Sequence, residues 1–337
     1  MKSHKPGYVL ILAIMIIAVM TLLVTAIVNQ TVVFGRLVKT LSDREQAQML
    51  ALSGINIAIA QLSNDNQQKT KEQKGPATTN SQLEKFWPLM NRWQTFAFTD
   101  EIDGINGSSL LYIASESGKI NFNMLYDFKN KKFVKNDTID GFAIINSAMK
   151  HLMLADKDKN RLAELLTTRD NPLVDVTELL TGGQDNVLLK HLFPVESEKG
   201  VLSFFDIFTV ETASASLQPW FLSKSIATIY GLNFDKEMDK ESVNTILKSV
   251  GSIPAHISWQ QHWDPLFSSV YGKQYSALNP EFRQLFAPRF ETSTFSVVSC
   301  GKFGDVLVRV YAILIQKPQT NETSGAEYYV KKLYWIN

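Results

Sequence analysis

The chain has 337 residues, 45% of them hydrophobic, which is enough to fill more than one core, since single domains typically run to about 100–200 residues. Its 34 Lys and Arg nearly cancel its 33 Asp and Glu, and a net charge of +1 leaves no broad positive field to hold a polyanion, which argues against nucleic acid as a partner. Cys300 is the single cysteine, so an intrachain disulfide and a multi-thiolate metal site are both excluded.

From Tyr8 through Gly35 there is no charged side chain, and Tyr8 to Val28 is almost entirely Val, Ile, Leu, Ala and Met, with Thr21 and Thr25 as the polar exceptions. A helix of that length crosses about 30 Å of hydrocarbon. Thirteen Val, Ile and Leu residues in the run favour insertion by about 4 to 8 kcal/mol. A cleaved secretory signal is the competing reading, but the run is too long and no small-x-small cleavage site follows Val28. Lys2 and Lys5 precede the run, and Arg36 and Lys39 follow it, so local charges alone leave the orientation ambiguous. The brevity of the leader and the length of the trailing chain put the bulk of the protein outside the cytoplasm.

Helical periodicity continues past the membrane. Leu52, Ile55, Ile59 and Leu62 recur at three- and four-residue steps between Gln48, Asn56 and Gln61. Taken from Tyr8 to Leu62, this predicts one helix about 80 Å long, half in lipid and half amphipathic. Residues 63–82, rich in Asn, Gln, Lys, Thr and Ser around Gly75-Pro76, read as a polar linker. Ser109–Ala114 and Lys119–Phe122 read as two short strands joined by a turn at Ser115–Gly118. Asp140–Thr168, Asp175–Leu180, Asn186–Phe193, Leu217–Gly231 and Lys240–Ser249 carry helical spacing. Thr294–Cys300, Val306–Ile315 and Tyr328–Trp335 return to β character, so the order is strand, long α stretch, strand.

Several stretches carry a family pattern in the correct order. Lys5-Pro6-Gly7 before Tyr8 looks like a prepilin peptidase site, with the cut between Gly7 and Tyr8. Ala47-Gln48-Met49-Leu50-Ala51-Leu52-Ser53-Gly54-Ile55-Asn56-Ile57-Ala58 resembles A-x-x-x-A-x-x-G-I-x-x-A, and Ser117-Gly118-Lys119-Ile120-Asn121-Phe122-Asn123 resembles S-G-K-x-N-x-N. Arg169-Asp170-Asn171-Pro172-Leu173 with Glu178-Leu179-Leu180 is similar to R-N-x-P before an E-L helix, and Tyr328-Tyr329-Val330 to Tyr334-Trp335 looks like a last strand. Together these resemble the K-type minor pseudopilins of bacterial type II secretion systems, the general secretion pathway protein K family. Two departures stand out. Tyr8 replaces the usual Phe or Met, and a V-N-x-N-T-A segment survives only as Val210-Glu211-Thr212-Ala213-Ser214.

The resemblance implies an α+β fold: a long N-terminal transmembrane and stem helix, then a pilin-like α/β domain split by an inserted, mainly helical domain. The expected division is a leader at 1–7, stem helix at 8–62, linker at 63–82, first pilin-like part at 83–125, insert at 126–288 and C-terminal strands at 289–337. It implies a single-pass protein of the bacterial inner membrane, N-terminus cytoplasmic and C-terminal domain periplasmic. Its implied role is to cap the tip of a periplasmic pseudopilus and help initiate assembly for protein export across the outer membrane. The implied partners are other minor pseudopilins, the major pseudopilin, prepilin peptidase, the inner membrane and exported proteins. The aromatic-rich insert is further expected to let residues 83–337 fold without the stem.

Counting Tyr8 as the first residue after cleavage, Leu12 stands fifth, where most pilins carry a glutamate that is thought to meet a neighbour's new N-terminal amine. Leu12 cannot make that pair, which suits a terminal subunit; otherwise it is one more apolar residue in a membrane helix. Family members bind calcium in the insert. Asp156-x-Asp158-x-Asn160 opens like a calcium loop, but Arg161 and Thr167 stand where such a loop needs Gly and Glu. Asp170, Asp175 and Glu178 are further oxygen donors with nothing in the sequence to join them, so no metal and no cofactor is assigned. Glu178-Leu179-Leu180-x-Gly182-Gly183 suggests a helix-hairpin-helix and hence the alternative of a type IV pilus or DNA-uptake minor pilin. The hairpin Gly182–Asn186 has no Lys or Arg and carries an acid. An enzyme is not expected: no His-Glu-x-x-His, Gly-x-Ser-x-Gly or phosphate-loop motif is present, and His256 and His262 sit in an aromatic stretch with Trp259 and Trp263.

Overall fold

The computed structural model describes residues 6–63, 79–136, 139–152, 156–180, 203–211, 216–233, 240–250, 263–287, 292–317 and 327–336. One helix, α1 (Pro6–Ser63), runs unbroken for 58 residues. Pro6 takes the first turn, where its missing N–H costs nothing, and no proline follows within the helix. Thr21, Thr25 and Thr31 each donate a hydroxyl hydrogen bond to the carbonyl four residues back (2.8, 2.8 and 2.9 Å), so their polar groups are satisfied within the helix.

The body is built on a five-stranded sheet in the order β1-β2-β7-β8-β9, antiparallel throughout. Its strands are β1 (Trp93–Phe98), β2 (Gly107–Ser115), β7 (Thr294–Phe303), β8 (Val306–Gln316) and β9 (Tyr328–Ile336). Between them fall the two-residue strands β3 (Ile120–Asn121), β4 (Tyr126–Asp127), β5 (Lys132–Phe133) and β6 (Phe208–Thr209). The neighbours β2 and β7 pair from Ser108↔Lys302 to Ser115↔Phe295, although the whole helical stretch lies between them in sequence. An insertion into a continuous sheet is therefore the architecture, and the fold is α+β with a long apolar N-terminal helix.

Alternation gives the sheet two covered faces. Val297, Ser299 and Gly301 of β7 and Val310, Ala312 and Leu314 of β8 lie toward α1. Ser296, Val298 and Tyr311 lie toward the inserted segment, where the Phe205 and Tyr311 rings meet at 4.9 Å. Within that segment Trp263, Phe267, Tyr275 and Phe286 form a ring cluster with centroids 4.9 to 6.0 Å apart. Buried residues from α1, the sheet and the insert form one continuous core cluster.

Several local expectations change. Helix α2 (Thr79–Phe86) occupies the end of the range read as a polar linker, and residues 64–78 lie outside the described residues. The strand read at Lys119–Phe122 shrinks to β3 and makes no hairpin with β2. It pairs parallel with β6, Ile120↔Phe208 and Asn121↔Thr209, because 3-10 turns at Glu116–Gly118 and Phe122–Met124 bracket it. The stretch Asp140–Thr168 is two helices, α3 (Gly141–His151) and α4 (Asp156–Thr168), the first capped by the Asp140 side chain accepting from Ala143 N–H. Asn186–Phe193 lies outside the described residues.

The expectation that residues 83–337 fold without the stem is revised by the core itself. Ala47, Ala51, Ile55, Ala58 and Leu62 of α1 are all 0–2% exposed. Removing them would uncover the middle of the sheet.

Candidate functional site

The candidate site is α1 and the surface that holds it. Its apolar half contains an 18-residue window of mean hydropathy 3.0, none of it buried against the body, so by length and composition the helix can cross a membrane. Gly7 and Tyr8 lie in its first turns and Leu12 follows, exposed and remote from the body. The side chains of Gly7 and Tyr8 lie outside the described residues, and Leu12 is 48% exposed.

The other half of α1 is seated on the sheet so closely that side chains are excluded at two points. A Cβ on Gly54 would fall 2.0 Å from Ser299 Oγ and 2.5 Å from Ser109 Oγ. On the facing strand, a Cβ on Gly301 would fall 2.0 Å from the Ala47 carbonyl oxygen and 2.4 Å from Ala51 N. Small residues on the helix (Ala47, Ala51, Gly54, Ala58) and on the strands thus let the two backbones approach, while Leu50, Ile55 and Leu62 fill the margins. Burying those three larger side chains contributes roughly 5–9 kcal/mol before chain-ordering costs. Gln61 Nε2 donates to Gln94 Oε1 of β1 at 2.9 Å and fixes the far end.

A second set of contacts roots the insert in the sheet, and it gathers the family-like motifs. Lys119 and Glu116 form a buried ion pair. Lys119 also donates to Ser296 Oγ at 2.7 Å, and Thr209 donates its hydroxyl to Glu116. Gly118 is pressed against the Phe221 carbonyl, where a Cβ would sit 1.7 Å away. Asn123 brackets Leu173, donating to its carbonyl and accepting from its N–H, both at 2.9 Å. Glu178 accepts from Arg169 and from the amides of Val174 and Asp175 (3.0 and 2.9 Å).

On β9, Lys332 donates to Glu211 and to the Val174 carbonyl (2.7 Å) and lies 3.1 Å from Asp175 Oδ2. Lys331 pairs with Glu211 at 2.8 Å, and Tyr334 donates to Asp175. Burial alone would lower the Lys332 pKa, but the hydrogen bonds and charges of Glu211 and Asp175 raise it overall. Burial opposes ionisation of Asp175 as well, and donors from Tyr334, Thr177 and Lys332 outweigh it and lower its pKa. A lowered carboxyl stabilises the fold above the usual range near pH 4 and loses that contribution as pH falls through its folded value; a raised ammonium stabilises below about pH 10.5. Lys332 and Asp175 therefore both stay charged across neutral pH.

The motif patterns pointed to Ser117–Asn123, Arg169–Glu178, Val210–Glu211 and Tyr328–Trp335 separately, and the fold brings all four together. What the sequence reading missed is their common purpose, for which the only signal was a buried-type pattern around the charged residues Glu116 and Lys119. Asp170, Asp175 and Glu178 are held by Lys131, Lys332 and Arg169. Among the described residues no group of three or more His, Cys, Asp and Glu side chains is placed to hold a metal. Asp156 and Asp158 lie in the first turn of α4, their side chains outside the described residues; Gly182–Asn186, His256 and His262 lie outside them too. Cys300 is buried.

These features define a stem-and-body protein: an apolar helix long enough to anchor in a membrane, continuing into a stem that forms part of the core of a split-sheet body. No protein-family model matches the chain, and no curated protein matches it. Among solved structures it is similar to a chain of the GspK-GspI-GspJ complex from the enterotoxigenic Escherichia coli type 2 secretion system. That chain is 11% identical, and the likeness covers 88% of this chain and 98% of that one with a TM-score of 0.44.

Proposed function

We propose that the chain is a minor pseudopilin of a type II secretion system, which caps the tip of the periplasmic pseudopilus and helps initiate its assembly for protein export across the outer membrane. The observation that carries this reading is α1 itself. One uninterrupted helix, Pro6–Ser63, leaves its apolar half free of the body and seats its other half in the core of the sheet, and the sequence at its start reads Lys5-Pro6-Gly7-Tyr8. A helix built in this way transmits position from membrane to body as a rigid rod and performs no chemistry. The protein is read as anchored in the inner membrane with its N-terminus in the cytoplasm and its body in the periplasm. Its partners there are other minor pseudopilins, the major pseudopilin, prepilin peptidase and exported proteins. The alternative, a minor pilin of a type IV pilus or DNA-uptake system, rests on Glu178-Leu179-Leu180-x-Gly182-Gly183, and neither net charge nor the acid-bearing hairpin Gly182–Asn186 favours it.

The reading is tested at the N-terminus. Prepilin peptidase is expected to remove Met1–Gly7, leaving Tyr8 with a methylated amine, and Gly7→Val is expected to accumulate as the full-length chain. Intact-mass measurement on membrane-extracted protein decides the matter. A chain still beginning at Met1 in cells with an active peptidase overturns the assignment.

A further inference from the structure

As a helix, the uncharged run Tyr8–Gly35 is about 42 Å long against about 30 Å of hydrocarbon, so its length alone does not set its depth in a membrane. Two groups of residues could mark where α1 emerges on the side of the body. If the first charges, Arg36 and Lys39, mark the boundary, the immersed turns are those of Ile16–Gly35. If the polar run Asn29-Gln30-Thr31 marks it, they are those of Val9–Val28. The two placements differ by about 10 Å in the height of the whole molecule.

The side chains decide between them. Thr21 and Thr25 donate their hydroxyls to carbonyls of α1 four residues back and so lie in lipid already satisfied. Asn29 and Gln30 are exposed, and among the described residues their carboxamides make no hydrogen bond to the protein. Sinking the helix to Arg36 would immerse both carboxamides unsatisfied. It would also bring only Val32, Val33 and Phe34 into hydrocarbon while expelling the five Val, Leu and Ile residues between Val9 and Met15. Both differences favour a boundary at Asn29. Held there, α1 places Tyr8 at the opposite boundary, where tyrosine is enriched, and leaves Lys5 outside the hydrocarbon.

We propose that Asn29 and Gln30 form a collar that hydrogen-bonds the lipid headgroup layer on the body side of the membrane and so sets the depth of α1. The proposal rests on the membrane-anchor part of the function proposed above and goes beyond it by naming the residues and their ligand. Lipid phosphate and ester oxygens accept from the amide N–H groups, and the amide oxygens accept from the amine of phosphatidylethanolamine. Adjacent positions stand about 100° apart round a helix, so the two carboxamides reach lipid over a broad arc and not on one side alone. The height of the body follows. Asp43 lies against the β7–β8 turn at Gly304 and stands about 20 Å above Gln30 along the helix, so the base of the body clears a headgroup layer that ends about 5 to 8 Å beyond the hydrocarbon.

The full-length chain tests this with a nitroxide attached at Val32→Cys or Ala13→Cys, the wild type with its buried Cys300 serving as blank. Purified protein is placed in liposomes of phosphatidylethanolamine and phosphatidylglycerol. Collisions of each label with oxygen, which concentrates in hydrocarbon, are compared with collisions with a water-soluble nickel chelate. A collar at Asn29 leaves position 32 about 6 Å outside the hydrocarbon and position 13 about 6 Å inside it, so the chelate is expected to dominate at the first and oxygen at the second. Adding Asn29→Leu and Gln30→Leu frees the run to centre itself on residues 12–31, and the label at position 32 is expected to move about 4 to 5 Å toward the hydrocarbon. Asn29→Gln with Gln30→Asn is expected to keep the wild-type depth. Oxygen dominating at position 32 in the otherwise wild-type chain, or an unchanged depth in the leucine variant, overturns the proposal. A depth that shifts as the protein is diluted with lipid also overturns it, because carboxamides of another helix would then be the partner. Intact mass of the same preparation keeps the two readings apart: a Tyr8 N-terminus with position 32 in hydrocarbon sinks the collar alone, whereas a Met1 N-terminus with the expected depth sinks the pseudopilin reading and leaves the collar standing.

Discussion

Gly301 and Gly54 sit at the same helix–sheet contact but ask different things of their neighbours. A methyl group on Gly301 would collide with the backbone of Ala47 and Ala51, which can yield only if the whole helix lifts. At Gly54 the close obstacles are two serine hydroxyls, which can rotate away, and Ser299 Cβ at 3.1 Å, which must give by only a few tenths of an ångström. Gly301→Ala is therefore expected to destabilise by about 3 kcal/mol or more and Gly54→Ala by about 1 kcal/mol, the upper and lower parts of the usual overpacking range. Denaturant unfolding of the detergent-solubilised chain measures both, and equal losses would refute the distinction between backbone and side-chain obstruction. The buried pair Lys119–Glu116 belongs to the same scale. Its ions are fully enclosed, and it joins the first turn after β2 to β7 and β6 at once, which fits a role in fixing register better than one in adding stability.

At the scale of the element, α1 is two helices by environment and one by hydrogen bonding. Its outer half needs lipid and its inner half is part of the core, so a soluble version must cut between them. A fragment of residues 42–337 is expected to fold and remain monomeric, whereas 83–337, lacking Ala47 to Leu62, is expected to aggregate. Circular dichroism and gel filtration of the two fragments compare them directly, and a well-folded 83–337 would mean that the sheet does not need its helix. The same division explains what could be read from residues alone. The apolar run from Tyr8 and the step pattern Leu52, Ile55, Ile59 and Leu62 announce the helix, because both follow from a local period, and β7, β8 and β9 announce themselves through Val, Ile and Tyr. Strand β1, Trp93–Phe98, went unread, and so did the partner of β3, because two residues paired in parallel to Phe208 and Thr209 carry no period at all. Glu116, Asp175 and Lys332 were equally opaque as a set, since charged residues in turns look solvated until the fold encloses them.

For the whole molecule, the exposed Leu12 bears on where the subunit can stand. If the proposed function holds, cleavage after Gly7 leaves an amine on Tyr8 that a neighbour's carboxylate would shelter, and Leu12 offers no such carboxylate to a subunit above it. Leu12→Glu is expected to insert normally, since a carboxylate near a helix end costs less than one at the bilayer centre. When overproduced, it should enter the body of the filament and crosslink to itself, while the wild type is incorporated singly and in excess shortens filaments. Identical filament lengths and self-crosslinks for the two would leave Leu12 a lipid-facing residue and nothing more. The split sheet also sets the order of events in the making of the protein. Strands β7 and β8, against which Ala47, Ala51 and Ala58 rest, are synthesised after the whole insert, so the anchored helix emerges long before its seat exists. Contacts of such sequence separation close late. Until those strands are made the newborn chain therefore carries an uncovered alanine row, and whatever binds that row in the interval competes with the closing of the sheet.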